Sequence, residues 1–323
     1  RIEHLRLLRE DLHTLVVDEA TQLTEPALIS LVMSFRKFIL IGDQNQLPPV
    51  VTQDGIFCQT NDPLLHAIGI RDLRGSLFER LMDNARHRRW HHAFGMLTTH
   101  FRMHSDIADI INPWYGHRLI CGRAEQQVPL SFKGLNTGIW DDVLTAGRAI
   151  FVPSPPAQSS RFHQAEAERI VSLIRYIRAS HGTSFDPRSV GVVTPWRTQI
   201  GLIRHLMGQD DVLQSINIDT VERFQGSENQ IILVSMAVCH PAQMQMLRSP
   251  GTFYWEEGAE IRSVDVDRKL LVSLSRAMHQ VILFGDERVL MSDTVYQKAI
   301  SAMQRIALPS EPLLQLEIPE EQE

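Results

Sequence analysis

Apolar runs recur along the chain at residues 12–17, 38–41, 148–152, 189–193, 230–238 and 280–284, lengths that suit strands better than helices. Between several of them the apolar positions return with a helical period. One such stretch is 163–179, which carries Glu166 and Glu168 and then Ile170, Val171, Leu173, Ile174 and Ile177; another is 197–207. Residues Glu25 to Met33 have the length and apolar content of a crossover helix between the first two strands. Strands alternating with helices predict α/β layers built on parallel sheets. No repeat with a period of roughly 20–50 residues is visible.

Two of the strands end in chemically active residues. Leu15-Val16-Val17 runs into Asp18-Glu19-Ala20, and Ile39-Leu40-Ile41 runs into Gly42-Asp43-Gln44-Asn45-Gln46-Leu47-Pro48-Pro49. A buried strand that delivers Asp-Glu suits a Mg-nucleotide site. One carboxylate helps hold Mg²⁺, here Asp18, and the next orients or deprotonates the attacking water, here Glu19. Strand-end acids also cap the helix that follows. Gly42 allows a tight turn, Gln46 can hydrogen-bond a terminal phosphate or its water, and the prolines fix the loop; taken alone, this is equally a proline-stiffened turn. Together the two signals point to nucleoside triphosphate hydrolysis.

At 323 residues the chain has room for about two domains. Its apolar and charged fractions, 43% and 22%, are ordinary for a globular protein. No apolar run reaches the ~18 residues a membrane span needs, and no secretory leader opens the chain. Cys58, Cys121 and Cys239 are far apart and odd in number, against a disulfide framework and against a C-x-x-C zinc site. An intracellular home, cytoplasmic or nucleoid/nuclear, is the expectation. Net charge is −6, so phosphate-backbone binding has to come from a local groove. Only four of the 32 basic residues are lysines. Arginine suits bidentate phosphate contacts; a genomic composition bias explains the skew equally well.

The first α/β layer reads as truncated: an acidic strand, the Gly42-Asp43 strand and a helix around Ser76–Leu81, followed by the basic connector Arg86-His87-Arg88-Arg89-Trp90-His91-His92. The expected division is a partial first domain over 1–95, a complete second one over 96–305, and a Pro- and Glu-rich acidic tail without fixed structure over 306–323. Residues 241–266, with Pro241, Pro250, Gly251 and Gly258, read as an irregular insertion.

Six boxes resemble, in family order, those of superfamily 1 helicases, in the branch of the nonsense-mediated decay helicase and the DNA replication helicase-nuclease. Val17 to Gln22 resembles the DEA-x-Q box, and Gly42 to Pro49 the GD-x-x-QLPP box. His100-Phe101-Arg102-Met103-His104 resembles the Y-R-M-H box, with phenylalanine for tyrosine. Val190 to Gln199 resembles the ITPY…Q segment, Asp219 to Glu228 the T-V-D-x-FQG-x-E box, and Leu271 to Ala277 the NVALTRA box. The resemblance covers about residues 12–286 and implies P-loop NTPase, RecA-like parallel sheets, one partial and one complete. It also implies ATP-dependent, 5′–3′ translocation on single-stranded DNA or RNA.

By the same resemblance Arg102 and Arg276 contact the γ-phosphate, Arg276 as the arginine finger, where charge stabilisation is worth ~10³–10⁵ in rate. Away from their boxes these arginines would read as surface ion pairs. Asp43, Gln225, Gly226 and Glu228 fall to the nucleotide, Glu228 at its ribose or the neighbouring phosphate region. Thr194, Pro195, Trp196 and Thr220 fall to the nucleic-acid strand, although Trp196 suits a core position as well. Leu271 and Ser275 replace the asparagine and threonine of the last box, so coupling of nucleotide to strand is expected to differ. No G-x-x-x-x-G-K-[ST] (Walker A) loop occurs, and no lysine follows a glycine. The expectation is the C-terminal part of a helicase whose Walker A loop lies in a missing N-terminal part or on a partner chain. The alternative is a non-hydrolysing nucleic-acid-binding or regulatory protein.

Overall fold

The structure, a computed structural model, describes residues 13–309 except 131, 133, 136–137, 158–161 and 259. They separate into two compact units, one ending at Leu97 and the other beginning at Thr98.

In the first unit β1 (Thr14–Val17) and β2 (Lys37–Leu40) pair in parallel, Val17 opposite Leu40. Helix α1 (Glu25–Val32) connects them, with Pro26 in its first turn, where a missing N–H is harmless. Helix α2 (Leu77–His87) is capped by the Ser76 hydroxyl, which accepts the Glu79 N–H at 3.1 Å. An Arg80–Glu25 ion pair ties α2 to α1. The strands are not buried as their apolar runs suggest: Val16, Phe38 and Ile39 are 57%, 43% and 53% exposed. A parallel strand needs neighbours and a layer on each face, and among the described residues β1 and β2 pair only with each other.

The second unit opens with β3 (Thr99–His100), α3 (Ser105–Ile111), β4 (Ile120–Cys121) and α4 (Ile139–Ala146). A parallel α/β layer follows: β5 (Ala149–Pro153), α5 (Gln164–His181), β6 (Val190–Val193), α6 (Arg197–Met207), β7 (Asn217–Asp219) and β8 (Asn229–Ser235). After β9 (Pro250–Glu257) and β10 (Glu260–Asp267) come α7 (Arg268–Ser275), β11 (Ala277–Gly285), α8 (Thr294–Ser301) and β12 (Gln304–Arg305). The sheet has six strands in the order β12-β5-β11-β8-β6-β7, all parallel. Ile150, Val152, Val192, Leu233, Ile282 and Phe284 form a core with Trp140, Ile170, Ile174 and Ile203 from the helices. The alternate residues Phe151, Ile232, Val234, Val281 and Leu283 are buried too, as strands covered on both faces require. This is the parallel α/β layer that the alternating pattern predicts.

Residues 241–266 depart from the expectation of an irregular insertion. Beyond a short helical turn they form the antiparallel β9–β10 hairpin, Phe253 opposite Val264. Pro250 opens its strand, where no ladder N–H is required, and Gly258 supplies the turn with φ +65°. Both residues delimit the hairpin. Phe253 packs between Tyr115 and Trp255, and a Cβ on Gly116 would come within 2.9 Å of the Trp255 ring, so the glycine admits the hairpin. Ile306 continues the β12 pairing by donating to the Phe151 carbonyl at 2.9 Å, and residues 310–323 of the expected tail lie outside the described residues.

Phe151 is fully buried in the six-stranded sheet. Phe151→Ala is expected to destabilise the second unit by about 3–5 kcal/mol in urea unfolding, and a loss below about 1 kcal/mol would mean this face is not core.

Candidate functional site

Parallel pairing brings both acidic motifs of the first unit to one edge. The ladder continues past β1 and β2, with Ile41 N–H donating to Val17 O and Ala20 N–H to Ile41 O, both at 2.8 Å. Asp18, Glu19 and the Gly42-Asp43 loop therefore leave the same strand ends, where open α/β sheets bind ligands. Glu19 is left-handed, φ +51°, in a region that non-glycine residues rarely occupy. Asp18 Oδ1 accepts the Glu19 N–H at 2.9 Å, and Glu19 Oε2 accepts from the Gln22 amide at 2.9 Å. Both side chains are exposed. Two such carboxylates match the hard-oxygen set that Mg²⁺ takes beside substrate phosphates. No group of three or more His, Cys, Asp or Glu suited to a metal occurs among the described residues.

Asp43 and Gln46 act as a pair. Asp43 Oδ1 accepts the Asn45 N–H at 2.9 Å and Oδ2 accepts the Gln46 amide at 3.1 Å, so the carboxylate sets how the amide points. Gly42 is not left-handed, contrary to the tight-turn expectation. Its need is proximity: a Cβ there would lie 3.0 Å from Thr21 Cγ2 and 3.1 Å from Thr21 N. The missing side chain lets the two motifs touch.

In the second unit a cluster forms where β8 and β11 begin. Arg102 Nε donates to Glu228 Oε2 at 2.7 Å, and its Nη1 reaches the Ser275 carbonyl at 3.5 Å. Arg276, 2% exposed, folds back over the end of α7, donating to the Val272 carbonyl and the Ser275 hydroxyl, each at 3.3 Å. Carbonyls at a helix C-terminus attract such a cation. Glu228, expected at the ribose or neighbouring phosphate region of a nucleotide, here holds Arg102. Gln225 Nε2 is buried with no hydrogen-bond partner among the described residues. Gly226 has φ +85° with open space around a would-be Cβ, so backbone freedom is what it supplies.

Thr194, Pro195 and Trp196 follow the other end of the sheet, after β6, and Thr220 follows β7. The Thr194 N–H donates to the Asp219 carbonyl at 3.2 Å and joins the two ends. Thr194 is fully buried and its hydroxyl accepts the Trp196 N–H at 3.5 Å, so in this structure it does not face outward as a phosphate ligand would. Trp196 is half-buried, its indole donating to the Met236 carbonyl at 2.9 Å. The two groups of candidate residues thus sit at opposite ends of one sheet, separated by the length of β8, about 20 Å at ~3.3 Å per residue. Residues 220–228 run from one end to the other. Gly191 makes room for this segment: a Cβ there would fall 2.7 Å from Phe224 Cζ and 2.5 Å from Asn229 Oδ1.

A buried polar network under Trp196 escaped the motif reading. Glu166 is fully buried, and its Oε2 accepts from Ser235 Oγ at 2.7 Å and from the Ala237 N–H at 2.9 Å. Gln199 donates to Ser235 Oγ at 3.0 Å and exchanges hydrogen bonds with the backbone of His163. Ala237 is left-handed, φ +46°. The network holds the turn whose Met236 carbonyl anchors the indole. Its signal in the sequence was a glutamate at the head of an otherwise apolar helix face.

A family model described as AAA domain matches residues 73–288, and a second AAA domain model matches residues 2–54. The chain is 28% identical over 310 residues to the bovine (Bos taurus) "DNA replication ATP-dependent helicase/nuclease DNA2", covering 88% of this chain and 26% of that protein. It is 23% identical to the "Uncharacterized ATP-dependent helicase MJ0104" of Methanocaldococcus jannaschii, covering 88% of this chain and 38% of that protein. It is 25% identical to the mouse (Mus musculus) "5'-3' DNA helicase ZGRF1", covering 88% of this chain and 13% of that protein. Among solved structures, a PRRSV helicase aligns with a TM-score of 0.37 at 15% identity, over 86% of this chain and 36% of that one.

Burial raises the Glu166 pKa above its ordinary value of 4.5, against the hydrogen bonds from Ser235 and Ala237 that favour the carboxylate. With the folded pKa raised, the native state binds more protons than the unfolded one between the two values. Stability is therefore expected to fall as pH rises from about 4.5 through the raised pKa. Denaturant midpoints across pH should show this slope in the wild type and lose it in Glu166→Gln; the same slope in both would assign it to another group.

Proposed function

The chain belongs to the AAA domain family, in its superfamily 1 helicase branch, and we propose that it is the part of an ATP-driven, 5′–3′ nucleic-acid translocase that carries water activation and strand contact. The observation that carries this reading is the delivery of Asp18-Glu19 and Asp43–Gln46 to the same ends of β1 and β2. In this proposal Glu19 takes a proton from the attacking water as its oxygen bonds to the γ-phosphorus and the bond to the ADP oxygen breaks. Gln46, aimed by Asp43, orients that water. Mg²⁺, held by Asp18 when bound, supplies charge neutralisation on the phosphates. Arg102 and Arg276 stabilise the transferring phosphoryl group, and Arg276 leaves its own helix end to do so. Gln225, Gly226 and Glu228 meet the nucleotide.

Pro195, Trp196 and Thr220 carry single-stranded DNA or RNA in this reading, and the buried Thr194 positions Trp196 through its hydroxyl. Residues 220–228, spanning the sheet, link strand contact to nucleotide state. The setting is intracellular, and among the described residues no helix is long and apolar enough to cross a membrane.

Glu19→Gln in the intact protein is expected to lower strand-stimulated ATP turnover by at least ~10²-fold while ATP binding persists. Arg276→Ala is expected to cost ~10³-fold or more. Unchanged turnover in Glu19→Gln, measured by phosphate release, would overturn the base assignment.

A further inference from the structure

Helix α2 ends in a turn defined by two hydrogen bonds, Arg89 N–H to Arg86 O at 3.0 Å and Trp90 N–H to Ala85 O at 2.8 Å. This Schellman pattern puts the residue after the cap in the left-handed region, a position that favours glycine. Here that residue is Arg89, with φ +55°. A side chain other than glycine is disfavoured there and persists only where the surrounding structure holds it. Residues 87 to 92 (His87, Arg88, Arg89, Trp90, His91 and His92) are all exposed, the Trp90 ring at 44%. The Arg88 guanidinium lies 5.0 Å from the Trp90 ring centroid. Among the described residues no carboxylate pairs with Arg88 or Arg89; Asp83, one turn earlier, stands 4.0 Å from Arg86. No acidic residue occurs from Asn84 to Ser105.

Basic residues at a helix end complement its dipole. That accounts for Arg86 and Arg88, but neither for an arginine in the left-handed region nor for an indole open to water. We infer that this helix end is a second binding surface for single-stranded nucleic acid, with Arg88 and Arg89 on successive phosphates and Trp90 stacked on a base. A flexible polyanion with accessible base faces meets both halves of the patch. An acidic protein would use the guanidinium groups and leave the ring idle. The net charge of −6 does not forbid it, because at physiological salt a charge acts over about 8 Å and the local patch decides. Its residues belong to the first unit, whereas the strand contacts proposed above belong to the second.

The test is fluorescence anisotropy of a labelled oligothymidylate titrated with the full chain at several salt concentrations. The double variant Arg88→Gln/Arg89→Gly should flatten the slope of log K against log salt by about 1.4, at ~0.7 per phosphate contact on a single strand. Trp90→Ala should weaken binding by about tenfold at unchanged slope. Arg89→Gly alone relaxes the backbone, so an unchanged or raised Tm beside weaker binding excludes unfolding as the cause. Thr194→Ala and Trp196→Ala, run in parallel, report on the other surface. If they are silent while the patch variants weaken binding, the patch stands and the strand assignment made above falls. Unchanged affinity and slope in every patch variant would sink the inference. So would equal affinity for a blunt duplex with Trp90→Ala silent.

Discussion

A parallel strand has to find neighbours for its backbone and cover for both faces, and all strands so paired leave the sheet at the same end. In the second unit β5, β11, β8 and β6 satisfy that demand together, and their fully buried runs are the result. Thr194, Thr220 and the Met236–Ala237 turn consequently share one end, while Glu228 and Arg276 share the other. In the first unit the same geometry aligns Asp18-Glu19 with Gly42-Asp43, although the pair stays exposed on its faces.

Two glycines show how close approach, not turn geometry, connects the motifs. Gly42 lets the second acidic motif touch Thr21 of the first. Gly191, in the middle of a strand where glycine weakens the ladder, leaves space for Phe224 and Asn229. The segment from Thr220 to Glu228 can then lie against the sheet and join its two ends. A shift at Glu228 would have a covalent route to Thr220, and Arg102 already joins Glu228 to the Ser275 carbonyl at that end.

Polar groups are buried here in service of position. Glu166 costs desolvation that its hydrogen bonds offset only in part, since Oε1 accepts no hydrogen bond among the described residues and has only His163 Nε2 at 3.8 Å. In exchange, Ser235, Ala237 and Gln199 are held in one arrangement, and the Met236 carbonyl is presented to Trp196. The indole is thus fixed at its polar tip while part of its ring stays accessible, the compromise between core and surface that its sequence context left open.

Much of the molecule was legible in the amino-acid order. Apolar runs located β1, β2, β5, β6, β8 and β11 to within a few residues, because period and run length report burial directly. Strand ends singled out Asp18 and Asp43, because a strand end constrains which residues can follow it; Arg102 and Arg276 stood out only through the resemblance of their boxes to those of helicases. Short β7 and the β9–β10 hairpin were missed. Three residues carry little periodic signal, and proline and glycine at the margins of a hairpin resemble breakers until the register is known. What only the tertiary structure decided is who meets whom: Arg102 with Glu228 across 126 positions of chain, Arg276 on its own helix end, and Glu166 beneath Trp196. Such pairings depend on the crossing of elements distant in sequence, and local pattern is blind to them. The sequence by itself determined the longer parallel strands and which polar residues leave their ends; packing determined the partners, because burial forces each polar group to take whatever neighbour the fold brings within reach.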